Sequence, residues 1–305
     1  MTDPAGLLPL PIPLAPPAGA PGGGPGPVFD AEGAAPRYLS PSSASTFSQC
    51  PRRWRFRYVE RLPDPPGEAA VVGTLVHRVL ELLCNEAPAQ RTPERARLLA
   101  GAAWGELTPL AEFAGLGLDA AGVRAFKWRA WRAIEGLWKL EDPAAVAVAA
   151  TEHKVEAVLA GVPFLGVVDR LDRTPEGLVV TDYKSGRPPH PNFAAPRLAQ
   201  VLLYAAAVAA VTGEAPVRSR LVYLGATVIS AAAEPDAVEG AVAGLAATWE
   251  ALNRACAADQ FPARPGPLCG WCPFAGECPE GRLEIRRRAD AGRLPAGAPG
   301  LSLVA

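Results

Sequence analysis

"GLVVTDYKSG", Gly177–Gly186, is an apolar strand that runs into an acid, an aromatic and a lysine. Just upstream lies "FLGVVDRLDR", Phe164–Arg173, a second strand-like run carrying Asp169. The connection Thr174–Gly177 contains the Pro and Gly of a tight turn. Charge inside hydrophobic strands is costly unless it is paired or holds a metal. If the hairpin turns over Thr174–Gly177, Arg173 faces Leu178, and the same register carried back along both strands sets Asp169 opposite Asp182. Facing residues of an antiparallel pair have Cβ atoms about 5 Å apart. Side chains alternate along a strand, so Lys184 shares the face of Asp182.

That register gives two carboxylates and one ammonium on a single patch. Opposed carboxylates repel, and a divalent cation resolves the conflict. Oxygen ligands of this kind suit Mg²⁺ or Mn²⁺. Such an ion activates water and stabilises charge on a phosphate, and a neighbouring lysine can orient the nucleophile or neutralise developing charge. A surface hairpin whose Asp and Lys form a plain salt bridge has the same spacing, so geometry alone leaves both readings open.

Around this hairpin the chain alternates helix and strand signals. "GTLVHRVLELLC" reads as a helix with Leu75, Val79, Leu82 and Leu83 on one side. Residues 88–141 read as a helical insert in which Trp128, Trp131 and Trp138, near helical spacing, are expected in the core. "EHKVEAVLAG" is a strand ahead of the hairpin. "RLAQVLLYAAAVAAVTG" is a helix ending at Gly213, "SRLVYLGATVIS" a long strand or strand pair, and "AVEGAVAGLAATWEALNRACAAD" a final long helix. Helices, three strands, helix, strand, helix is an α/β or α+β layer arrangement. There is no internal repeat. Residues 1–36 are Pro, Gly and Ala with almost no charge and are expected to be disordered. Residues 289–305 are similar and are expected to form a flexible tail, leaving 37–288 as the folded domain.

The 305 residues carry a net charge of −1, which excludes a global basic field. Any polyanion contact must come from local patches such as "CPRRWRFRYVER", where Arg52, Arg53, Arg55 and Arg57 interleave with Trp54, Phe56 and Tyr58. Arginines in such a stretch can contact phosphates while aromatics stack on single-stranded bases; a solvated helix face is the plain alternative. The longest apolar run, Val201–Val211, is well short of the roughly 20 residues a membrane span needs, and a cytoplasmic location with no membrane contact is expected. Six cysteines in such a chain favour metal binding or free thiols over disulfides. "CGWCPFAGECP" supplies Cys269, Cys272 and Cys278, three thiols that leave a metal one ligand short. Cys84 and Cys256 lie within helices and read as buried or spare.

"GVVDRLDR…GLVVTDYKSG" resembles the core of the PD-(D/E)XK nuclease superfamily, in its RecB-like branch. "GTLVH", Gly73–His77, resembles the branch's upstream helical motif, and "QVLLY", Gln200–Tyr204, its downstream Gln-x-x-x-Tyr motif. The likeness spans about residues 39–280, with the motifs in the family's order. It implies a restriction-endonuclease-like α/β core: a mixed central sheet flanked by helices. It implies that His77, Asp169 and Asp182 ligate Mg²⁺ or Mn²⁺, with the Tyr183 carbonyl as a further ligand. Lys184 would assist the attacking water. Gln200 and Tyr204, one helical turn apart, would hold DNA or order the site, with Glu152 in a supporting position. Some members of the branch, AddB-type domains and CRISPR-associated spacer-acquisition nucleases among them, place one Cys before the nuclease core and three after it. By that resemblance Cys50 joins Cys269, Cys272 and Cys278 around a 4Fe-4S cluster that staples the chain's ends, with 262–283 as the cluster-binding segment. A Cys₄ zinc site is the alternative.

The function implied is hydrolysis of DNA by a metal-dependent exonuclease acting on single-stranded ends in repair or recombination. No G-x-x-x-x-G-K-S/T phosphate loop is present and the chain is short for a helicase, so a partner helicase or pre-existing single strands are implied. The competing readings are a non-catalytic nucleic-acid-binding module of the same fold and an RNA-directed nuclease, since sequence does not show 2′-hydroxyl contacts.

Overall fold

The computed structural model describes residues 36–190 and 195–304; of the stretch 1–36 expected to be disordered, all but Pro36 lies outside them. The chain enters through α1 (Pro41–Gln49), which starts where Ser40 Oγ accepts the Ser43 N–H at 3.2 Å and Pro41 occupies the first helical position. A short α2 (Pro51–Trp54) continues into a π-helical turn, Arg55–Val59. Next come α3 (Glu68–Cys84), α4 (Pro93–Leu107), the single turn α5 (Ala111–Ala114) and α6 (Ala120–Glu135).

The sheet follows: β1 (Val148–Leu159), β2 (Val162–Thr174) and β3 (Gly177–Lys184) form an antiparallel meander. The helix α7 (Ala195–Thr212) crosses over to β4 (Arg218–Tyr223), which runs parallel to β3. A hairpin then adds β5 (Thr227–Ala232). The order β1-β2-β3-β4-β5 is that of a mixed five-stranded sheet. Finally, α8 (Pro235–Ala257) and α9 (Pro279–Asp290) close the chain. No helix among the described residues is long and apolar enough to cross a membrane.

Two cores sandwich the sheet. One joins Val155, Val168, Val180 and Leu221 to Val201 and Val208 of α7 and Leu245 and Leu252 of α8. The other joins Tyr183 and Val222 to Val76, Val79 and Leu80 of α3 and Phe126 and Ile134 of α6. The result is a three-layer α/β/α arrangement. Gly136 lets the insert approach the β4–β5 turn, since a Cβ there would stand 2.4 Å from the Gly225 backbone nitrogen.

Two expectations fail here. Trp128 is 61% exposed and packs under the Arg132 guanidinium, while Trp131 and Trp138 do reach the second core. The spacing of the three is only approximately helical, so one falls on the outer face of α6. The segment after residue 289 is packed and not a free tail: Ala298 is buried, Gly300 lies against Ile285 and Gly270, and Leu294 covers Gly270. Low charge and small residues there serve close packing.

Candidate active site

The observed register is Arg173↔Leu178 and Thr174↔Gly177, so the hairpin turns where its Pro and Gly sit. The ladder runs to Arg170↔Thr181, directly before Asp169 and Asp182. There Asp169 Oδ2 accepts the backbone N–H of Tyr183 at 2.6 Å, and the carboxylates come to lie at the junction of the helical layers. From one layer α3 contributes His77, whose Nδ1 is 3.5 Å from Asp169 Oδ1. From the other, α7 contributes Gln200, whose Nε2 donates to Asp182 Oδ1 at 3.4 Å and to the Tyr204 hydroxyl at 3.1 Å. Lys184 Nζ sits 2.5 Å from Asp182 Oδ2. Every residue expected at this site is therefore brought to it. Gly166 makes room for Tyr204: a Cβ there would stand 2.6 Å from Tyr204 Cε1.

Glu152 is closer to the centre than a supporting role implies. Among the described residues, His77, Glu152 and Asp169 form the one group of possible ligands whose donor atoms all fall within 4.8 Å of one another. The β1–β2 register explains why: Thr151↔Arg170 and His153↔Val168 flank the place where Glu152 meets Asp169. Glu152 itself has φ 43°, in the left-handed region, amid an otherwise extended strand. Such a conformation costs about 1–3 kcal/mol and persists where the surroundings over-determine it. The sequence signal was available: an acid on the strand next to Asp169, readable once the β1–β2 turn is placed at Ala160–Gly161.

The electrostatics are those of crowded acids around one histidine. Burial pushes the Glu152 carboxyl up, to about 8, with the Asp169 charge adding to the effect. Burial and then Asp169 also raise Asp182, to about 6, against the pull of Lys184. Asp169 moves the other way: burial opposes its ionisation, but His77, Lys184 and the Tyr183 N–H outweigh it and hold it below the usual carboxylate range. His77 is raised to about 9, because Asp169, Asp182 and Glu152 together overcome the burial that would lower it. Burial raises the Tyr204 phenol, which stays a neutral hydroxyl.

Behind the site lies a buried ionic network that sequence reading missed. Arg170 is fully buried and meets Glu141 at 2.6 Å, Asp172 at 2.7 Å and the Tyr183 hydroxyl. Arg220 joins Glu141 at 3.0 Å and Asp172 at 3.2 Å. Glu141, at the end of the helical insert, thus ties the insert to the sheet.

The second expected site gathers as well. Cys50, at the α1–α2 junction, lines one cavity with Cys269, Cys272 and Cys278. The backbone N–H of Arg264 points to Cys50 Sγ at 3.4 Å, that of Gly266 to Cys269 Sγ at 3.4 Å, and that of Gly281 to Cys278 Sγ at 3.3 Å. Burial raises the Cys272 thiol, countered by the Phe274 amide and then by Arg53. Cys84 is buried against the Tyr183 hydroxyl, as expected of a spare thiol.

The aromatic-basic stretch departs from its expected role. Trp54 is fully buried, stacked on Phe261, and Phe56 packs on Phe274, so neither ring can receive a base. Arg52 donates to the Phe261 carbonyl and pairs with Glu280, Arg55 pairs with Glu60 and Asp259, and Arg57 pairs with Asp64. The stretch begins a helix whose apolar side is core, and Arg52, Arg55 and Arg57 find acids of the same chain.

The family model of the PD-(D/E)XK nuclease superfamily matches residues 38–279. No curated protein matches the sequence. Among solved structures, the crystal structure of SSO0001 is similar at 15% identity, with 80% of this chain and 86% of that chain covered and a TM-score of 0.36.

Proposed function

The chain belongs to the PD-(D/E)XK nuclease superfamily, and from that membership we propose that it is a RecB-like, Mg²⁺- or Mn²⁺-dependent deoxyribonuclease acting on single-stranded ends. The observation that carries this reading is the convergence of His77, Glu152 and Asp169 within 4.8 Å, beside the Asp182–Lys184 ion pair. One imidazole and clustered carboxylates, with two of the acids pushed toward neutrality by burial and then by the neighbouring Asp169 charge, fit a hard divalent cation. His77, Asp169 and Asp182 would hold it, with Glu152 in the same donor group and the Tyr183 carbonyl at the same strand end. A bound ion of this kind supplies Lewis acidity at phosphate and lowers the pKa of a water.

The chain's own residues do the positioning. Lys184 keeps its proton: burial opposes this, but Asp182 and Asp169 outweigh it. Its ammonium is the cation available to negative charge developing on the phosphate. Gln200 fixes the Asp182 carboxylate and the Tyr204 hydroxyl with one amide. The His77–Asp169 pair orients the imidazole. A separate helicase or pre-existing single strands would provide the ends, in DNA repair or recombination in the cytoplasm.

The four gathered cysteines, each approached by a backbone amide, fit a metal-bearing staple held by 262–283. We assign them a 4Fe-4S cluster. A Cys₄ zinc site is the alternative occupant of the same four thiolates. The test of the nuclease reading is Asp182→Ala on DNA and RNA strands. The variant is expected to fold and to bind DNA without cutting it. Undiminished cutting by the variant would remove the site from the reaction, and preference for RNA would replace the substrate.

A further inference from the structure

Three of the four arginines in the Cys50–Tyr58 stretch are engaged on the chain's own acids. Arg53 is different. It lines the cysteine cavity, as Arg52 and Arg264 do, but Arg52 is held by Glu280 and the Phe261 carbonyl and Arg264 by the Ser48 carbonyl, whereas the Arg53 Nε is buried with no hydrogen-bond partner among the described residues. A buried guanidinium N–H without an acceptor is costly. Here it stands beside a site that gains negative charge when its thiols become thiolates.

We infer that Arg53 faces the cofactor and not the nucleic acid, and that its guanidinium charge sets the reduction potential of the cluster held by Cys50, Cys269, Cys272 and Cys278. The inference rests on the iron–sulfur reading above. A 4Fe-4S core with four thiolates is anionic, and taking up one electron makes it more so. A neighbouring fixed cation stabilises the reduced form more than the oxidised one, and so raises the potential. The backbone amides of Arg264, Gly266 and Gly281 act in the same sense, but the Arg53 charge is the one removed without altering the backbone. Arg53 is thus a positioning and tuning residue of the second site.

The test uses the full chain, purified anaerobically, with iron and zinc content measured first. Dithionite titration with mediators, read by absorbance and by the signal of the reduced cluster, gives the potential of the wild type, Arg53→Gln, Arg53→Lys and Arg254→Gln. Arg254 is an exposed arginine of α8 and serves as a control. Arg53→Gln is expected to titrate at a lower potential, with Arg53→Lys and Arg254→Gln near the wild type. Loss of iron from Arg53→Gln but not from Arg53→Lys, at an unchanged melting temperature, supports the same charge role. An iron-bearing Arg53→Gln protein with the wild-type potential overturns the inference alone. Iron loss from both Arg53 variants replaces charge by shape. A zinc-bearing, colourless wild type overturns the cluster reading and this inference with it.

Discussion

Asp169 Oδ2 accepts the backbone N–H of Tyr183 at 2.6 Å, so the carboxylate on β2 latches the strand that carries Asp182 and Lys184. The side chain of Tyr183 is meanwhile fixed from behind by Arg170. Asp169→Asn keeps an acceptor for that N–H and removes the charge. It is expected to melt near the wild type while losing Mn²⁺ binding in calorimetry. Retained Mn²⁺ affinity would mean that Asp169 is a latch and not a ligand.

The supporting residues should act more weakly. Gln200→Ala frees the Asp182 carboxylate and the Tyr204 hydroxyl without removing a ligand. A loss of about 10–100-fold in metal affinity or cleavage is expected. Tyr204→Phe should give part of that loss, which steady-state rates on end-labelled DNA would show.

The pH dependence of the metal-free fold follows from the same crowding. His77 has a raised pKa, so its stabilising charge is fully present below about 6.5 and is lost as pH rises through about 9. Glu152 and Asp182 are raised too, to about 8 and about 6, so ionising them above their ordinary values also weakens the fold. Asp169 is held low and titrates below this window. Melting temperature in EDTA should therefore fall between about pH 5 and pH 9. Saturating Mn²⁺ should cancel the fall, because metal binding displaces the same protons. A flat or rising profile in EDTA would contradict the assigned charges.

Much of the site was legible in the sequence because it lies on a hairpin. Pro175 and Gly177 fix the turn, the turn fixes the register, and the register places Asp169, Asp182 and Lys184. His77 and Gln200–Tyr204 were legible only through resemblance, since helix periodicity does not say which layer a helix joins. Glu152 was undervalued because its place depends on the next turn, at Ala160–Gly161, and on a left-handed φ that propensity does not predict. The Arg170–Glu141–Arg220–Asp172 network was invisible: Glu141 and Arg220 lie far apart in sequence, and burial of such residues is a tertiary fact. Trp54 and Phe56 were misread for the converse reason, that an amphipathic helix start and a base-stacking patch have the same composition.

That buried network gives a stability prediction. Arg170→Ala leaves Glu141 and Asp172 in the interior with Arg220 as their one remaining cation among the described residues. Breaking a buried ionic set by removing one member costs about 3–5 kcal/mol, measurable by urea unfolding. A cost below about 1 kcal/mol would mean that the network is hydrated and does not anchor the insert.

The most direct test of the metal-dependent nuclease reading is cleavage of end-labelled single-stranded DNA by the wild type and Lys184→Ala, each with Mn²⁺, Mg²⁺ or EDTA. The predicted result is cutting by the wild type with either metal, none in EDTA, and a loss of about 10²–10³-fold in the variant. Equal cutting by the variant, or no cutting by a folded wild type that binds Mn²⁺, would contradict it.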